Sequence, residues 1–178
     1  LSRVLVVLVV CLIAIALPAV TAQAAICLPY GIELSPKYGL PGTEVTVYGH
    51  DFAENTLVDI YYDGTIIITG RTNSSGDFTL LFTVPEGCTG PYEVEADVWY
   101  TRVHAYFTIR PGLTVSPETG PVGATVTVTG QGFAKNEAGI ALMYYLNGSY
   151  DTVERNIVAN AKGSWERSFS IPPSTKGE

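Results

Sequence analysis

The chain has 178 residues, of which 47% are hydrophobic and 15% charged, with 18 glycines and 11 prolines. That much apolar surface excludes an unstructured chain, and the composition lacks the helix-former excess of a coiled coil. The net charge of −7 comes from 10 basic and 17 acidic residues with no basic block, which excludes a nucleic-acid partner, since phosphate contacts need clustered Lys and Arg.

In chain order, residues 1–24 stand apart. Arg3 is their only charged side chain, an apolar run follows from Val4 to Leu17, Pro18 breaks it, and the segment closes on Ala22-Gln23-Ala24. A positive start, an apolar stretch and an A-x-A ending predict an N-terminal signal helix, cleaved after Ala24. Left uncleaved, the same run is nearly long enough to anchor the chain in a bilayer, the one membrane contact expected. The remainder, 25–178, is expected to be secreted or at the cell surface, with a charge of −8 once Arg3 is lost. Two cysteines remain there, Cys27 and Cys88. Outside the cytoplasm such a pair commonly forms a disulfide, and closing a loop of about 60 residues would stabilise by roughly 3–4 kcal/mol. A sandwich fold would set the two at opposite ends, so a disulfide and a free thiol both stay open.

An internal repeat dominates the rest. Residues 33–53 match 114–134 at an offset of 81, with identities at Ser35/Ser116, Pro36/Pro117, Gly39/Gly120, Gly42/Gly123, Val45/Val126, Thr46/Thr127, Val47/Val128, Gly49/Gly130, Phe52/Phe133 and Ala53/Ala134. Residues 76–85 match 163–172 at an offset of 87. The segment Tyr92–Ile109 has no counterpart in the second copy, so the second domain is expected to be truncated.

Within the first copy, Thr43–Tyr48, Phe78–Val84, Tyr92–Val98 and Val103–Ile109 follow the period of two of half-buried strands, and Asp59–Tyr62 and Thr65–Thr69 flank Asp63-Gly64 as a further pair. Asp63-Gly64 is a two-residue hairpin turn, because both residues tolerate positive φ, and Asn147-Gly148 matches it. Pro36, Gly39, Pro41 and Gly42 are expected to bend the chain between two sheets. Gly49 followed by Phe52 reads as a bulge that drops an aromatic into the core. Turn residues every eight to twelve positions or so predict an all-β sandwich. The link Arg110-Pro111-Gly112 is too short for a free tether, so two domains, 25–111 and 112–178, should stand end to end.

The pattern S-P-x-x-G-x-x-G-x-x-V-T-V-x-G-x-x-F, at Ser35–Phe52 and again at Ser116–Phe133, resembles the IPT/TIG family. The resemblance implies tandem immunoglobulin-like β-sandwiches, used as spacers or interaction modules on microbial surface proteins. It brings no catalytic residue with it.

Chemistry is sparse. His50 and His104 lack metal-binding partners in sequence, and no G-x-S-x-G nucleophile elbow occurs. No enzyme activity and no cofactor are therefore expected. Asp51 and Glu54, in one loop, are the weak candidates for Ca²⁺, although Lys135 stands where Glu54 does in the second copy. Tyr61, Tyr62, Trp99, Tyr100 and Tyr106 are expected on neighbouring strands. Tyr61 and Trp99 are the candidates for stacking on a sugar or a partner protein, with sheet packing the open alternative. Asn73-Ser74-Ser75 and Asn147-Gly148-Ser149 are glycosylation sequons on turns. These readings point to a non-enzymatic extracellular spacer or adhesion module whose partner is a protein or glycan. The alternative is an accessory carbohydrate- or protein-binding module of a larger secreted enzyme.

Overall fold

The structure is a computed structural model that describes residues 30–146 and 148–173. The expected signal helix, Cys27 and Asn147 of the second sequon lie outside these residues. Among the described residues there are strands and no helix. The first unit contains β1 (Gly31–Ser35), β2 (Tyr38–Gly39), β3 (Glu44–His50), β4 (Leu57–Tyr62), β5 (Thr65–Arg71), β6 (Phe78–Thr83), β7 (Gly90–Val98) and β8 (Thr101–Ile109). They form one sheet in the order β1-β3-β6 and another in the order β2-β8-β7-β4-β5. This is the immunoglobulin-like arrangement, with strands A, B and E on one layer and A′, G, F, C and C′ on the other.

Alternation explains both layers, because successive side chains on a strand point to opposite faces. Val45 and Val47 of β3 are fully buried, as are Val58 and Ile60 of β4, Val94 and Ala96 of β7, and Phe107 and Ile109 of β8. Burying each of the larger ones stabilises by about 1.5–3 kcal/mol. Asp63 (φ 48°) and Gly64 (φ 77°) close the β4–β5 hairpin with positive φ at both positions, as a two-residue turn of type I′ requires. The expected bend is a switch of sheets. β1 pairs antiparallel with β3, and after Pro36-Lys37 the chain crosses so that β2 pairs parallel with β8. Pro41-Gly42 then returns it to β3, where the Gly42 N–H donates to the Val84 carbonyl (2.8 Å).

Gly49 does not form the expected bulge. Its pairing with Ile32 on one side and Phe78 on the other is unbroken. The reason for glycine is steric: a Cβ at this position would collide with the Phe78 ring, which lies across the backbone. The second copy repeats the device, with the Trp165 indole lying over Gly130. The repeat displays both glycines in sequence but not the aromatic that each one accommodates.

The second unit contains β9 (Gly112–Ser116), β10 (Thr125–Gln131), β11 (Ile140–Leu146), β12 (Ser149–Ile157) and β13 (Trp165–Ser170), in the sheets β13-β10-β9 and β11-β12. It has its own core of Val126, Val128, Leu142, Ile157, Ala159 and Trp165. Among the described residues no strand of this unit stands where β7 and β8 stand in the first. Leu34 is 2% exposed, whereas its repeat equivalent Val115 is 43% exposed. A groove of about 490 Å³ runs past Val115, Val128, Leu142 and Phe169.

The units meet head to tail. Only Arg110 and Pro111 separate β8 from β9. The Thr89 N–H, in the turn before β7, donates to the Phe133 carbonyl beyond β10 (3.2 Å). Lys162 Nζ donates to Glu86 Oε2 (2.6 Å), and Cys88 Sγ lies 3.6 Å from the Ala161 carbonyl oxygen.

Gly49→Ala is expected to destabilise the first unit by about 1–3 kcal/mol, the range for overpacking a core. Adding Phe78→Leu should recover part of the loss, since contacting sites are not additive. Urea unfolding of the single and double variants measures both.

Candidate functional site

The end of the first unit farthest from the second gathers the turn between β7 and β8, the β3–β4 loop and the close of β5. β7 and β8 each run nine residues, so their tip lies about 30 Å from the seam. Val98 pairs with Thr101, leaving Trp99 and Tyr100 as a two-residue turn. Trp99 has φ 61° and Tyr100 is not in the positive-φ region. A type II′ turn has that signature, and its first central position is normally glycine. A bulky residue there is an outlier in backbone terms. Trp99 is 73% exposed and Tyr100 91%, with the rings edge to face at a centroid distance of 5.6 Å.

Trp99 walls a groove of about 520 Å³ whose other sides are Asn55, Thr56, Leu57, Asp59, Arg71 and Asp97. Asp59 of β4 and Asp97 of β7 are direct cross-strand partners on the outer face. Like charges so placed repel, and the surrounding bonds offset this. Thr69 Oγ1 donates to Asp59 Oδ1 (2.7 Å), and Arg102 pairs with Asp97 (2.8 Å) and Glu95 (3.1 Å). Arg71 Nη1 donates to the Asn55 carbonyl (2.8 Å). Beneath the loop, the buried Thr72 hydroxyl donates to the Ala53 carbonyl (2.6 Å) and accepts from the Thr56 N–H (2.8 Å). This single side chain fixes the loop that carries two of the groove residues, and no motif announces it.

Tyr61 lies on the same outer face but lines a second, smaller hollow of about 180 Å³ with Gly64, Glu93, Glu95 and Arg102. It lies four positions on from Leu57, about 13 Å along β4. Trp99 and Tyr61 thus bracket a strip of paired charges rather than one shared cleft. Tyr106 projects from the outer face of β8. Tyr62, by contrast, turns inward and stacks on Tyr92 (5.3 Å, 12°). Burial, then the charges of Tyr92 and Asp63, push its phenol well above the ordinary tyrosine range. Its hydroxyl is buried without a hydrogen-bond partner.

The other sequence candidates separate. Asp51 Oδ2 lies 2.8 Å from His50 Nδ1, and the Glu54 carbonyl accepts from Thr56 Oγ1 (3.0 Å). Among the described residues no three His, Cys, Asp or Glu side chains gather as a metal site. His104 Nδ1 faces Glu93 (2.9 Å) and Glu95 (3.5 Å) on the outer sheet face. Asn73 shapes its own turn, where its Oδ1 accepts from the Ser75 and Asp77 N–H groups (2.8 and 2.9 Å). Asn160, which heads no sequon, makes the same two bonds to Lys162 and Ser164 (2.8 and 3.0 Å). The repeat therefore needs asparagine at this turn whether or not it is glycosylated. Cys88 sits at the seam between the units.

No family model matches the chain, and no curated protein does. Among solved structures, a tetra-tandem repeat from the extending region of a large adhesion protein is similar, at 22% identity and a TM-score of 0.40. That likeness covers 80% of this chain and 40% of the other, so this chain spans less than half of that structure. The human OSCAR ligand-binding domain is similar at 16% identity and a TM-score of 0.33, over 79% of this chain and 81% of its own. Neither likeness carries an argument about function.

Two substitutions test this geometry. Trp99→Gly is expected to raise stability by about 0.5–1 kcal/mol, because glycine relieves the strained φ. Thr72→Val is expected to cost about 1–3 kcal/mol, because the Thr56 N–H loses its partner. Thermal melting of each variant against the parent decides both signs.

Proposed function

We propose that this chain is part of an exported, non-enzymatic surface protein in which IPT/TIG-like repeats act as a stiff spacer and interaction module. The carrying observation is the seam. A two-residue link with a backbone hydrogen bond from Thr89 to Phe133 restricts the swing between repeats. The acidic composition suits a soluble extracellular surface that repels anionic polymers. The exposed Glu86–Lys162 pair adds register to the seam but is screened by salt.

Head-to-tail packing has a directional consequence. The loops of the second unit around Phe133 and Ala161 face the first unit. The corresponding end of the first unit presents Trp99 and Tyr100 instead. A spacer so built offers its contact surface at one pole. That exposed aromatic turn also favours the second reading, an accessory binding module of a larger secreted enzyme.

Small-angle scattering tests the spacer. The chain is expected to give one elongated arrangement, retained in 1 M salt, with a radius of gyration well above the roughly 15 Å of a single globule of this size. Inserting six Gly/Ser residues between Arg110 and Pro111 should broaden the distance distribution. A parent profile as broad as that of the insertion variant would refute the stiff seam.

A further inference from the structure

We propose that the groove beside Trp99 binds a neutral oligosaccharide, with a sugar ring stacked on the indole and its hydroxyls bonded to Asp59, Asp97, Asn55 and Arg71. This deepens the reading of the chain as an interaction module and rests on it.

Four observations point to that ligand class. An indole held 73% exposed in a strained turn gives up burial and backbone comfort together. The edge of the Tyr100 ring props it in place, which limits the entropy lost when a ligand stacks on its face. The volume of about 520 Å³ falls within the range of small-ligand sites. The lining pairs acceptors with donors. Each carboxylate offers about four lone-pair positions, so the single bond from Thr69 leaves Asp59 able to accept from sugar hydroxyls. Asn55 and Arg71 supply donors from the opposite wall.

The same chemistry disfavours other occupants. Asp59 and Asp97, in register, repel phosphate or sulfate groups, while Arg71 and Arg102 compete with a bound cation. A stable protein interface wants a largely apolar centre within about 800 Å² per partner, and this groove supplies only Leu57 and Trp99 as apolar surface. A polyhydroxylated, uncharged, flat-faced ligand matches what remains.

Fluorescence provides the test, because Trp165 is buried at 6% exposure and Trp99 is the exposed emitter. The chain is titrated with cellohexaose, xylohexaose, mannohexaose and chitohexaose. A saturable shift in the exposed emission with at least one of them is expected. Binding should weaken about tenfold or more in Trp99→Ala, as for an aromatic anchor. It should be partly kept in Trp99→Phe and reduced in Asp59→Asn, all three variants melting as cooperatively as the parent. Where Trp99 is replaced, binding of the same sugar is followed by calorimetry. No saturable response to any of the four sugars would overturn the proposal. So would sugar binding that survives Trp99→Ala, or a shift produced only by phosphatidylcholine vesicles. None of these failures would touch the scattering result for the stiff pair of repeats, which stands or falls separately.

Discussion

The alternation of side chains along the β7–β8 hairpin governs most of this molecule. Every second residue goes inward, so Val94, Ala96, Val98, Phe107 and Ile109 complete the core between the sheets. The intervening residues must then face out, which lines up Glu93, Glu95 and Asp97 against Arg102 and His104. The tip is carried to the pole of the domain. Core, charged outer face and aromatic turn are thus consequences of one period-two constraint.

At the seam the two units meet end to end. Its backbone bond and two-residue link use few side chains, and the groups brought together lie far apart in sequence. Because loops of one repeat meet the opposite end of the other, each added copy would cover the equivalent pole of its neighbour. The aromatic turn of the first unit lies at the pole away from that contact.

Much of the fold is legible in the sequence, for physical reasons. Strand alternation and the Asp63-Gly64 turn are local signals, and the repeat displays them in two copies. The Pro36–Gly42 bend is visible as broken pairing, though not as a switch to a parallel partner, because that pairing depends on β8 some seventy residues later. Gly49 reads as a bulge only while the Phe78 ring above it is unseen, and that ring is a tertiary fact. Trp99 stands out as an aromatic, but its place in the turn is hidden: hairpin turns usually show glycine or asparagine, and here strain replaces them. Thr72 and Asn160 escape notice because one polar side chain in a loop carries no pattern. Tyr61 and Trp99 are both stacking candidates in the sequence, and the structure sets them in separate hollows on one face.

Hydrogen exchange across the whole chain measures the central role of the hairpin most directly. The two strands to compare are β4, bonded on one side by β7 and on the other by β5, and β5, the edge strand bonded by β4 alone among the described residues. The amides of β4 are expected to exchange only through opening of the whole unit, whereas those of β5 should exchange much faster. Equal protection of β4 and β5 would contradict the account, since it would mean that pairing with β7 adds nothing to the closure of the sandwich.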